Sequence, residues 1–79
     1  MKPQMHTPAV YTIRVAGEID DHWSGRLSGM TIATIRGDDD QIVSTLTGRL
    51  TDQAALFGVL NALYQMHFPL LFTECTSSD

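Results

Sequence analysis

The chain has 79 residues, with five basic side chains against nine acidic ones and a formal net charge of −4. A chain of this length forms one domain and buries only about 60–65% of its unfolded surface, so an isolated core is marginal and small domains usually add a disulfide, a metal or a partner subunit. The single cysteine, Cys75, excludes a disulfide and a Cys-based zinc site, and the singly scattered Arg14, Arg26, Arg36 and Arg49 exclude a phosphate-tracking nucleic-acid surface.

Residues 1–9 read as a disordered lead, with Pro3 and Pro8 keeping the backbone extended. They contain no apolar core of a signal peptide, and the lone thiol fits a reducing compartment, so a cytoplasmic protein is expected. The single domain is expected over 10–75 and a polar tail over 76–79. Residues 10–19 begin with strict alternation: Tyr11, Ile13 and Val15 face one way, Thr12 and Arg14 the other. β-branched and aromatic residues dominate, which predicts a strand. Gly17 near its end suggests a bulge or a close backbone approach.

Residues 20–29 have no period and predict a loop, or a loop with one helical turn, around the sole tryptophan, Trp23. Two further strands are expected at 30–36 and 41–47, joined by the turn Gly37-Asp38-Asp39-Asp40, with Gly48 ending the third strand. The period then changes. Ala55, Leu56, Val59, Leu60, Leu63 and Met66 recur at three- and four-residue steps behind a capping Thr51 or Asp52. This predicts a helix over 52–67 that Pro69 stops, followed by a strand at 70–75.

The expected class is α+β in the order β-β-β-α-β: an antiparallel meander with one helix packed on one face. Ile13, Val15, Ile32, Ile35, Val43, Leu46, Leu56, Leu60, Leu63 and Leu71 are the core candidates.

The helix lacks a charged face. From Gln53 through Thr73, 21 residues, there is no Asp, Glu, Lys or Arg. An ordinary surface helix shows water a charged stripe. Here the side away from Leu56, Leu60 and Leu63 carries Ala54, Gly58, Asn61, Ala62 and Gln65, and a second line of Phe57, Asn61, Tyr64 and Phe68 runs beside the core stripe. Two readings stand: a neutral but solvated face, or a contact with another subunit made by Phe57, Asn61, Tyr64 and Phe68. A membrane span is excluded, because Gln53, Asn61, Gln65, His67 and Pro69 interrupt the run and no basic anchors flank it.

The candidate ligand site is the loop around Trp23, with His22, Asp20, Arg26 and Tyr11 as neighbours. Trp23 either folds back to cap the core or lines a pocket or interface. Asp20-Asp21-His22 has the composition of a metal cluster, yet ligation needs convergent geometry, and a solvated loop with an Asx-turn at Asp20 accounts for it. Asp38-Asp39-Asp40 lacks the spacing of a calcium loop. His6 and His67 are structural, and Cys75 is a buried or half-buried filler without a base beside it. No metal, cofactor or catalytic set is expected.

Arg14-Val15-Ala16-Gly17, Trp23, Gly29-Met30-Thr31-Ile32, Asp52-Gln53-Ala54-Ala55-Leu56-Phe57-Gly58-Val59-Leu60 and Pro69-Leu70-Leu71 together resemble a family of small uncharacterised bacterial proteins. The resemblance covers residues 11–73 and implies no activity and no functional residues. Members of that family carry charges late in the helix, where this chain has neutral residues from Asn61 to His67. The resulting functional expectation is a non-enzymatic, cytosolic, homo-oligomeric interaction or regulatory module. The alternative is a small-ligand-binding protein or small enzyme with a pocket near Trp23 at a subunit interface. Its partners are then another copy of itself, a small molecule or another protein, with neither nucleic acid nor membrane among them.

Overall fold

The computed structural model describes residues 9–78. The expected lead (1–9), apart from Ala9, and His6 within it lie outside the described residues, as does Asp79. The elements are β1 (Ala9–Ala16), a 3₁₀ turn η1 (Asp21–Leu27), β2 (Thr31–Arg36), β3 (Ile42–Leu50), α1 (Gln53–Gln65) and β4 (Leu70–Ser78). The strands form one antiparallel sheet with α1 and η1 on a single face, so the fold is α+β in the order β-β-β-α-β.

The strand order is β2-β3-β1-β4. In a meander β1 would pair with β2; here it pairs with β3 and β4. The hairpin turn joins β2 to β3, and Asp40 takes a left-handed φ of 67° while Gly37 N–H donates to the Gln41 carbonyl at 2.7 Å. The long excursion through η1 then lets β2 start beyond β3. Both central strands alternate in burial, so Ala9, Tyr11, Ile13 and Val15 share the covered face with Ser44, Leu46 and Leu50.

The core joins those residues to Ile19, Leu27 and Met30 around η1 and to Leu56, Val59 and Leu63 of α1, with Ile32 and Leu60 packed at its margin. Two expected core residues are exposed. Ile35, 64% exposed, pairs with Val43 on the face that the helix does not cover. Leu71, 56% exposed, falls where the β1–β4 register shifts between Arg14 and Val15, and the bulge takes it out of alternation. Val43 is half-buried.

Gly48 does not end β3. It sits inside the strand, because a Cβ there would come within 3.2 Å of Met30. Gly17, at φ +109°, ends β1 where a Cβ would meet the Phe68 ring at 3.0 Å, which is the expected close approach. β4 runs to Ser78, so residues 76–78 belong to the sheet and not to a tail.

Asp52 caps α1, its carboxylate accepting from Ala55 N–H at 2.8 Å. At the other end His67 N–H donates to Tyr64 O and Phe68 N–H to Leu63 O, both at 3.0 Å. These bonds make a Schellman motif with His67 at the left-handed position, φ 66°.

Candidate functional site

The residues expected around Trp23 come together on η1 because a tight turn brings near neighbours in sequence onto one side. Asp20 opens it: its carboxylate accepts from His22 N–H at 3.1 Å, the expected Asx-turn, and meets His22 Nδ1 at 2.7 Å. The backbone N–H of His22, and then its imidazole, hold the Asp20 carboxyl below its ordinary range. The His22 ring stacks on Trp23 with centroids 5.1 Å apart, and the Arg26 guanidinium lies 5.4 Å from the Trp23 ring.

Trp23 itself is half-buried and packs on the core. A concavity of about 360 Å³ lies beside this turn, but Glu18, Ile19, Asp20, Asp21, Ile32 and Thr34 line it, and the indole does not. Tyr11 stands apart from the exposed side chains of the turn. It is 3% exposed on the covered face of β1, and its hydroxyl is enclosed without a hydrogen-bond partner. Among the described residues no three His, Cys, Asp or Glu side chains converge into a set that could hold a metal ion. Cys75 is exposed on β4.

The second candidate region is apolar. Phe57 is 63% and Tyr64 78% exposed, with Gly58 and Asn61 exposed between them. Phe68 is half-buried against the core, so only part of its ring faces outward. Leu60, Leu63, Tyr64, Phe68, Pro69 and Leu70 line a groove of about 210 Å³ that carries the helix flank onto the start of β4. On the opposite face of the sheet, Leu71 and Phe72 join Ile35, Val43, Thr45 and Arg14 around a shallow concavity of about 440 Å³. The Arg14 guanidinium lies 5.3 Å from the centre of the Phe72 ring.

The stretch Leu70-Leu71-Phe72 is therefore apolar on both faces of an edge strand. Sequence reasoning missed it by placing Leu71 in the core. The available signal was three consecutive large apolar residues without alternation, which a strand covered on one face does not need.

The arrangement defines a two-layer α+β domain whose most developed surface is an apolar one around a sheet edge. Residues 10–74 match the family described as a domain of unknown function, DUF8691, and the chain belongs to that family. Neither the curated proteins nor the solved structures contain a match to it. No helix among the described residues is long and apolar enough to cross a membrane.

Proposed function

We propose that this domain is a non-enzymatic, homo-oligomeric interaction or regulatory module of the cytoplasm. The observation that carries the reading is the outer flank of α1: Phe57 and Tyr64 stand in solvent in the single chain, on a helix with no charged residue in its 13 positions. Removing each ring from water would contribute roughly 1.5–3 kcal/mol before the cost of association. For a core of this size that is a substantial fraction of the total. Sedimentation velocity across a concentration series tests it. An oligomer is expected that weakens when Phe57 and Tyr64 are both changed to serine; a clean monomer at several hundred micromolar removes the basis of the proposal.

The alternative, a small-ligand site at Trp23, draws support from the assembly of Asp20, His22, Trp23 and Arg26 on one turn. It is the weaker reading, since the indole packs on the core and the adjoining concavity is lined without it. Quenching of Trp23 fluorescence across a metabolite panel separates the two, because an indole that only packs on the core leaves the panel without effect.

A further inference from the structure

The two edges of the sheet are built differently. At the β2 edge η1 packs against the strand, and an Arg36–Asp40 ion pair at 2.8 Å closes its hairpin. Among the described residues no helix or turn packs along β4 in the same way. Natural edge strands are blunted by lysines, prolines, inward charges or bulges. β4 has register shifts toward either end, but between them Phe72–Cys75 pair regularly with β1, and Glu74 is the one charge of the strand.

The helix layer stops short of this strand. Thr73 pairs with Ile13 and Cys75 with Tyr11, so all four share the covered face. Ile13 and Tyr11 are buried, whereas Thr73 and Cys75 are exposed. A notch therefore lies above β4, bordered by the groove that runs from Tyr64 to Leu70.

From these features we infer that a second copy of this chain docks at β4, antiparallel and strand to strand, about a two-fold axis at Thr73. The inference rests on the homo-oligomeric reading above and adds its geometry. Keeping both helices on the same face requires opposed residues of equal parity, which admits axes at Phe72, Thr73, Glu74 or Cys75 within the regular segment. An axis at Cys75 sets Glu74 against the partner's Thr76, at the second register shift. An axis at Glu74 sets two carboxylates directly opposite one another. An axis at Phe72 sets Glu74 against the partner's Leu70.

The axis at Thr73 sets Glu74 against the partner's Phe72, the ring over which the partner's Arg14 is laid. Among the described residues neither Arg14 nor Glu74 is in an ion pair within its own chain, so the charges are complementary across the axis, twice. Three residues of each copy, Phe72 to Glu74, pair within the regular segment, since Cys75 falls opposite the partner's bulged Leu71, and they fall short of the roughly 800 Å² per partner of a stable complex. The flank of α1 supplies the remainder, because the joined sheet brings Tyr64 of each copy to the notch from opposite sides.

The test uses the full chain with Cys75→Ser. Thr73→Cys in that background meets its symmetry mate at the Cα separation of an opposed antiparallel pair, roughly 4.5–5.5 Å, which a disulfide spans. Under mild oxidation at low micromolar concentration it is expected to run as a covalent dimer. Thr47→Cys, exposed but two strands inward, is expected to stay monomeric on the same gel. Glu74→Arg and Arg14→Glu should each weaken the dimer by about tenfold or more, since like charges then face each other across the axis, and the double reversal should restore it.

An oligomer in which Thr73→Cys crosslinks no better than Thr47→Cys, and in which the reversals leave the dissociation constant unchanged, overturns this geometry and leaves the oligomeric reading standing. A wild-type monomer overturns both.

Discussion

Ser44 is a buried polar side chain with no exposed surface, and it ties β3 to the turn that follows β1. Its hydroxyl donates to the Gly17 carbonyl at 2.7 Å, accepts from Ile19 N–H at 2.9 Å and lies 3.3 Å from Thr34 Oγ1. Ser44→Ala removes one oxygen and strands two backbone groups. Thr34 is exposed and regains water, so its loss is small. Ile19 is 2% exposed, and its amide has no such recourse. A buried group left without its partner costs about 1–3 kcal/mol, so the variant is expected to lose about 2–4 kcal/mol. The whole domain, at about 0.05–0.15 kcal/mol per residue, has only about 4–12 kcal/mol to lose. Urea unfolding followed by circular dichroism reads this directly: the midpoint should fall while the slope stays constant. A loss below about 0.5 kcal/mol at constant slope would refute the claim that the hydroxyl is the sole partner of the Ile19 amide.

Other substitutions probe single contacts. Gly17→Ala should cost about 2–5 kcal/mol in the same assay, combining an unfavourable φ of +109° with the Phe68 ring 3.0 Å from the new Cβ; adding Phe68→Leu should recover the steric share alone. Tyr11→Phe should be neutral or stabilising by about 1 kcal/mol, against the usual cost of losing a tyrosine hydroxyl, because this one is buried with nothing to bond. His67→Gly should stabilise by about 0.5–1 kcal/mol, as glycine occupies the φ of 66° without strain; a thermal shift downward would contradict the Schellman assignment. Asp20 has its carboxyl pKa lowered in the folded state, so its stabilisation of η1 is present above the ordinary carboxylate pKa and is lost as pH falls through the lowered value. Trp23 fluorescence should report that loosening in acid, and Asp20→Asn should remove the step assigned to this group.

The sequence was legible where a local pattern decides the outcome. Alternation in β1 and the change of period at Asp52 each follow from which side chains a single element must bury, and neither depends on a neighbour. The neighbours themselves were not legible. That β1 lies beside β3 depends on how far the η1 excursion carries the chain, a length that residues 20–29 do not encode as a pattern. The misplaced core residues follow from the same gap. Ile35 and Leu71 are apolar and sit in strands, but the face each one takes is fixed by cross-strand register and by a bulge. Gly48 looked like a breaker because its reason, the approach of Met30, comes from another element. Of the candidate site, the Asp20–His22–Trp23–Arg26 set was readable because a tight turn turns sequence proximity into contact. Tyr11 is buried on the covered face of β1, in the core on which Trp23 packs, whereas Asp20, His22 and Arg26 are exposed.

These placements bear on where recognition can reside. The polar residues that invite a chemical reading are already engaged with one another: Asp20 with His22, His22 and Arg26 with the indole, Arg36 with Asp40, Ser44 with two backbone groups. Such groups stabilise turns. Of the large apolar side chains without comparable burial, Tyr64 and Leu70 line the groove at the start of β4, Leu71, Phe72 and Ile35 meet on the far face beside Arg14, and Phe57 stands further along the helix flank. A domain with 79 residues has few apolar side chains to leave in water, since its own core is near the limit of stability. The groups beside β4, next to backbone groups that a further strand can satisfy, support the proposed pairing there, in which shape and main-chain bonding carry recognition and charge sets the register.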